Sequence, residues 1–200
     1  MKRRRKSKLF IVLMLLLISL NTPGSPDKAD QHWLSNYQDD PFLFNFDGYR
    51  ITRYRSPTPD HAEGGQLITT AELNAKISSE TPPLLINVQP LQWRQGVFLQ
   101  QQPQPGIPGS RWLPNVGQGE PEQAWMDYFR DNLYQGTGGR KNLAIVLYCT
   151  ADCWMSWNAV KRAYSWGYTE LYWYKEGIDG WQEADLPETT LSPELFQANK

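Results

Sequence analysis

Leu143-Ala144-Ile145-Val146-Leu147-Tyr148-Cys149-Thr150-Ala151-Asp152-Cys153-Trp154 is the stretch on which the fold turns. From Leu143 to Tyr148 it is apolar throughout. A strand with one wet face would alternate apolar and polar residues. An unbroken run fits a central parallel strand covered on both faces. It delivers the chain directly to Cys149. A helix is predicted from about Trp154 to Ser165, with Gly167 as its stop.

The flanking sequence repeats the pattern. Leu84-Leu85-Ile86-Asn87-Val88 reads as another short buried strand, and Leu171-Tyr172-Trp173-Tyr174 as a third. Thr69-Thr70-Ala71-Glu72 has the spacing of a capping box and opens a helix through Ile77, with Pro82-Pro83 ending that segment. Trp125, Tyr128, Phe129 and Leu133 fall at helical spacing between 122 and 134, and Gly136, Gly138 and Gly139 close that helix. Strands alternating with helices predict an α/β fold with a parallel sheet flanked by helices. Residues 89–111 read as a long loop, Gly177-Ile178-Asp179-Gly180-Trp181 as a turn, and the chain after about Pro187 as a loose polar tail.

The N-terminal third differs. Lys2, Arg3, Arg4, Arg5, Lys6 and Lys8 precede an apolar run from Leu9 to Leu20. The run is shorter than the roughly 18 residues a membrane-spanning helix needs. A basic start before a short apolar run is the pattern of a secretory signal. No A-x-A box follows, so 1–22 is a signal peptide or an uncleaved N-terminal anchor, which would be the chain's sole membrane contact. Export is expected either way. Residues 23–66 are rich in Pro, Asp, Asn and Tyr and read as an extended arm packed by Phe42, Phe44, Phe46 and Tyr49. The arm holds both histidines, His32 and His61, in loop sequence that suits solvation better than ligation. The expected division is signal 1–22, arm 23–66, α/β domain 67–188 and flexible tail 189–200.

Composition narrows the function. The formal net charge of -1 over 200 residues gives no basic field for nucleic acid. Cys149 and Cys153 are the chain's two cysteines, so no disulfide framework of a small secreted scaffold is present. In an open α/β sheet, ligands bind beyond the carboxyl ends of the strands. A loop there that feeds a helix turns N–H groups inward, and the helix N-terminus favours a thiolate. Cys149 and Cys153 are therefore the candidate catalytic residues, with Thr150, Ala151, Asp152 and Trp154 as the loop that would meet a ligand. Asp152 would oppose the thiolate if it pointed inward, or face away. The alternatives are two small buried hydrophobes, a thiolate nucleophile, a dithiol–disulfide pair, and two ligands to a soft metal. Zinc would need more ligands than this pair supplies, and no metal site is expected. C-x-x-C-H is absent, which disfavours a c-type haem.

Several strings together resemble rhodanese domains: the strand–Cys149–helix unit, Gly167-Tyr168-Thr169-Glu170-Leu171-Tyr172, Gly177-Ile178-Asp179-Gly180-Trp181, and the earlier Leu84 to Val88 and Ile107-Pro108-Gly109-Ser110. The likeness covers about Leu67 to Pro187. Trp112-Leu113-Pro114-Asn115-Val116-Gly117, Thr137-Gly138-Gly139, Tyr148-Cys149 through Trp157-Asn158-Ala159, and Asp40-Pro41 with Phe46-Asp47-Gly48-Tyr49-Arg50 resemble the CXXCW-motif proteins associated with catabolism dependent on pyrroloquinoline quinone (PQQ). The spacing here is C-x-x-x-C-W.

The resemblance implies a rhodanese-like fold, a periplasmic setting, and a quinoprotein alcohol dehydrogenase system as company; a thiol protein is the partner that a dithiol–disulfide pair would need. It implies sulfur transfer through a persulfide on Cys149. PQQ enters by association alone, although its flat ring system could stack on Trp154 or Trp157. Three departures bear on this chemistry. Asn87 and Gln89 stand where rhodaneses often carry Asp and Arg, and Gly106 replaces a His. Trp154 takes the place of a basic loop residue, which removes the obvious partner for an anionic donor such as thiosulfate.

Overall fold

The computed structural model describes residues 42–197. The signal segment, His32 and Asp40-Pro41 lie outside the described residues. In chain order the elements are β1 (Gly65–Leu67), α1 (Thr70–Ile77), β2 (Leu84–Asn87), β3 (Trp93–Arg94), β4 (Val97–Phe98), β5 (Gln104–Gly106), β6 (Arg111–Trp112), α2 (Gln123–Thr137), β7 (Ile145–Tyr148), α3 (Trp154–Ser165), β8 (Leu171–Tyr174), α4 (Gly177–Glu183) and β9 (Thr189–Leu191).

Five strands form one sheet in the order β1-β8-β7-β2-β6, each pair parallel. β7 lies at its centre, and its four residues are fully buried. Successive side chains of a strand point to opposite faces. Ile145 and Leu147 accordingly join one core with Phe129 and Leu133 of α2 and Trp157 and Val160 of α3. Val146 and Tyr148 join the other, with Leu73 of α1 and Ile178 and Trp181 of α4. This is why the run cannot alternate. A polar residue at any of the four positions would be buried on one face or the other. Each large apolar side chain removed from water here contributes roughly 1.5–3 kcal/mol.

The local signals hold where they are self-contained. The Thr69–Glu72 capping box is formed in both directions. α3 occupies the span expected of it. α2 runs through Gly136 to Thr137, and Gly138, in the left-handed region at φ 60°, ends it.

Four expectations are corrected. Residues 89–111 hold a small hairpin, β3 with β4, and the strand β5. The Gly177–Trp181 segment is the start of α4 rather than a turn. The tail is docked through Gln197: β9 pairs antiparallel with β5, and Phe196 stacks on Trp125 at 3.7 Å between ring centroids. In the arm, Leu43 and Phe44 are buried, while Phe42 and Phe46 keep most of their surface exposed.

Candidate active site

Cys149 follows the last residue of β7, at the carboxyl end of the central strand. The loop from Cys149 to Trp154 then climbs into α3, with Cys153 as the N-cap. The structure bonds Cys149 to Cys153, with Cα atoms 6.1 Å apart, inside the range a disulfide requires. Both residues are almost fully buried, and together they form part of the floor of a cleft of about 540 Å³. Its walls are Tyr54 and Arg55 of the arm, Gln89 and Pro90 after β2, Gln104 of β5, Gln118, Thr150 and Met155.

Two sets of contacts hold the loop. On one side is α4. Ile178 N–H donates to the Cys149 carbonyl at 2.9 Å, and the Asp179 carboxylate accepts from Ala151 N–H at 3.0 Å. Gly177, at φ 57°, lies so close to the loop that an added Cβ would sit 2.6 Å from the Thr150 carbonyl carbon and 2.8 Å from that of Cys149.

On the other side is the arm. Ser56 N–H donates to the Asp152 carbonyl at 3.1 Å, Trp154 N–H to the Tyr54 carbonyl at 2.8 Å, and Arg55 bridges antiparallel to Cys153. The Asp152 carboxylate faces outward, accepting from both the N–H and the hydroxyl of Thr58. It therefore does not oppose a thiolate from within the loop.

Trp154 is also given to the arm rather than to the cleft. Its indole N–H donates to Ser56 Oγ at 3.0 Å and to the Pro57 carbonyl at 3.2 Å. Arg50 lies 4.9 Å over its ring, and Phe44 and Trp157 pack edge-on. Trp154 and Trp157 are each 1% exposed, so neither presents an open face on which a flat quinone could stack. The residues present do not fit PQQ at this position.

Asn158 fixes the arm from below. Its side-chain oxygen accepts from Arg50 N–H at 2.9 Å, and its amide donates to the Arg50 and Gly117 carbonyls, both at 2.8 Å. The buried Arg162 guanidinium caps the carbonyls of Val116, Gln118 and Gly119. Desolvation lowers its pKa. The Tyr54 phenol is pushed above its ordinary value by burial, against the pull of the Gly119 N–H that donates to it at 3.1 Å. At neutral pH it is a neutral wall residue of the cleft.

The departures from the rhodanese pattern gain a physical account. Gln89 is positioned by hydrogen bonds with Asn87 and accepts one from Gln104, so this wall carries neutral amides in place of an ion pair. A cation reaches the loop after all, from the arm: the Arg55 guanidinium donates to the Thr150 hydroxyl and stands 3.9 Å from Asp179. Sequence reading picked out the loop residues and missed Tyr54, Arg55, Gln104, Gln118, Met155 and Asp179. A Tyr-Arg pair in a proline-rich arm carries no signal of its eventual neighbour. Among the described residues no group of three or more His, Cys, Asp or Glu gathers as a metal site, and no helix is long and apolar enough to cross a membrane.

A parallel sheet with a cysteine-headed loop beyond its central strand, backed by a helix that starts within that loop, defines an α/β protein whose candidate site lies at the carboxyl end of the sheet. Residues 69–184 match the rhodanese-like domain family, and the chain belongs to that family. Similar solved structures include a thiosulfate sulfurtransferase from Pseudomonas aeruginosa, at 12% identity and TM-score 0.47, over 69% of this chain and 22% of that one. EanB in complex with hercynine shares 22% identity at TM-score 0.44, over 63% and 28%. The polysulfide-sulfur transferase homodimer of Wolinella succinogenes shares 13% at TM-score 0.42, over 68% and 86%. The chain thus spans less than a third of the first two. No curated protein matches it.

Proposed function

We propose that this protein is a two-cysteine member of the rhodanese-like family that handles sulfane sulfur, with Cys149 as the carrier and Cys153 as the resolving thiol. The observation that carries the reading is the Cys149–Cys153 pair at the floor of the cleft. In the reduced protein the Cys149 thiolate attacks the outer sulfur of a donor. A sulfur–sulfur bond forms to Cys149, and the donor's remaining group leaves with the electron pair. Cys153 then attacks Cys149 Sγ. The Cys149–Cys153 bond forms, and the terminal sulfur leaves as hydrosulfide, taking the Cys153 proton. A dithiol partner resets the pair by becoming a disulfide itself.

The helix end supports this assignment of roles. Cys153 is the N-cap of α3, so the partial positive end of that helix bears on its sulfur. A stabilised thiolate is the better leaving group. Opening of the bridge therefore favours attack on Cys149 with Cys153 departing, which leaves the incoming group on Cys149.

The setting belongs to the same proposal. The basic and apolar N-terminus supports a periplasmic protein, and the CXXCW-type strings support a place beside quinoprotein alcohol oxidation. A dehydrogenase of that system or a thiol protein would be the partner. A second reading, pure dithiol–disulfide exchange without sulfane sulfur, draws on the same pairing.

Reduced full-length protein mixed with inorganic polysulfide separates the two. The expected result is stoichiometric sulfide release with closure of the bridge, a Cys153→Ala variant that stops with one added sulfur on Cys149, and an inert Cys149→Ser variant. Neither sulfide nor a persulfide, with the bridge still exchanging with a dithiol protein, would leave the redox reading alone standing. Sulfur acceptance by Cys149→Ser would remove Cys149 from its role.

A further inference from the structure

The cleft's charge and size point beyond the cysteines to what enters it. The loop from Cys149 to Trp154 carries no Lys or Arg, and Trp154 is buried under the arm. Arg55 brings a guanidinium to the cleft wall, where it donates to the Thr150 hydroxyl. That hydroxyl lies 3.8 Å from Cys149 Sγ. The positive charge therefore stands one hydroxyl away from the sulfur that reacts. Its side chain is 63% exposed, so its free face meets the cleft mouth. Asp179, 3.9 Å away, sits at the outer limit of an ion pair and already accepts from Ala151 N–H. The pairing leaves the guanidinium able to take a second carboxylate.

The remaining polar walls are neutral: the amides of Gln89, Gln104 and Gln118 and the Tyr54 phenol. Such groups hydrogen-bond an amide or a carboxylate without selecting for a second charge. A cleft of about 540 Å³ falls in the range that holds a small organic molecule and is several times larger than a lone sulfur oxyanion requires.

We infer that Arg55 is a specificity-determining residue that recognises the carboxylate of a small organic thiol or persulfide as it reaches Cys149. The inference rests on the thiol chemistry proposed above and names its substrate class. In the reaction used to test it, an incoming thiolate attacks Cys149 Sγ. The bond to Cys153 breaks, its electron pair leaves on Cys153 and takes a proton, and a mixed disulfide remains on Cys149.

The test measures opening of the bridge in the oxidised full-length protein by 3-mercaptopropionate, 2-mercaptoethanol, cysteamine and sulfite, each rate taken per reacting anion. Wild-type protein should react fastest with mercaptopropionate among the three thiols and slowest with the cationic cysteamine. Arg55→Gln should lower the mercaptopropionate rate about fivefold to tenfold, the scale of one charge at close range in a solvated site, and the mercaptoethanol rate less than about twofold. Arg55→Glu should reverse the order of mercaptopropionate and cysteamine, and Arg55→Lys should restore part of it. Equal slowing of all three thiols would show that Arg55 acts only by holding the arm, and would overturn the assignment. Loss of the sulfite rate with the mercaptopropionate rate unchanged would make the ligand an inorganic anion and overturn it too. A wild-type bridge that opens with none of the four would instead overturn the thiol chemistry on which the assignment stands.

Discussion

The two flanks of the cysteine loop are built from different material. α4 holds Cys149 to Ala151, through its own backbone and Asp179. The arm holds Asp152 to Trp154, through the backbone of Tyr54 and Ser56 and the side chain of Thr58, and crosses to the α4 side through the exposed Arg55 side chain, which meets Thr150 and Asp179. The division falls at Asp152, whose φ of 49° turns the loop. α4 lies inside the span that matches the rhodanese-like family, 69–184, and the arm lies before it. Cys149 is thus held by an element inside the matched span, while Cys153 is held by a segment that precedes it. The buried Trp154, Arg55 at the mouth and the second cysteine sit on the arm's side, while the departures at Asn87, Gln89 and Gly106 belong to β2, the segment after it and β5.

The largest expected effect comes from restoring the family pattern on the wrong flank. If the position of Trp154 still faced the ligand, Trp154→Arg would supply the basic loop residue and speed reaction with anions. The structure places it under the arm at 1% exposure, beside Arg50. The substitution removes a packed indole and buries a second cation. It should cost about 3–5 kcal/mol of stability. Urea unfolding of the full-length protein measures this. A stable variant with faster opening by mercaptopropionate would show that the arm is not seated as described.

Next in size is the α4 flank. Gly177→Ala puts a Cβ against the loop backbone at a positive φ. Neither the left-handed conformation nor the backbone contact can be relieved by moving a side chain. A loss of about 2–4 kcal/mol is expected. Because this flank carries Cys149, the bridge should also open at a changed rate. If the Trp154 substitution alters only stability while Gly177→Ala alters reactivity at Cys149 as well, the two flanks are distinct in function and not merely in origin.

The same division decides what could be read from the sequence. β7, α3 and the Thr69 capping box were legible because each is specified by residues within a few positions of one another: an unbroken apolar run, a helical spacing, a four-residue box. So was the loop, because a cysteine after a central strand has one place to go. The arm's docking was not legible. It depends on Asn158 reaching Arg50 from 108 positions away, and on backbone groups whose identity no side chain announces. The tail failed for a related reason. Phe196 is a single aromatic in a polar stretch, and its partners Trp125 and Trp93 come from α2 and β3. α4 was read as a turn because two glycines in its first four residues are poor helix formers. One of them, Gly177, is there for its contact with the loop and not for helix propensity.

The smallest effect isolates the arm's grip from its packing. Thr58 donates both its N–H and its hydroxyl to the Asp152 carboxylate, at 3.2 and 3.3 Å. Thr58→Val keeps the shape and the N–H bond and removes one donor from a carboxylate that remains near solvent. The cost should be about 0.5–1 kcal/mol, too little to unfold the protein. The informative readout is local. Trp154 N–H, which donates to the Tyr54 carbonyl, should exchange faster with solvent if the arm lifts as a unit from Tyr54 to Thr58, while Ile178 N–H on the α4 side should keep its protection. Faster exchange on both sides would mean that the two flanks open together, and that Cys153 is no more mobile than Cys149. Faster exchange on the arm side alone would leave Cys153 as the member of the pair whose surroundings can yield while Cys149 stays fixed, which is the asymmetry that resolution of a persulfide on Cys149 by Cys153 requires.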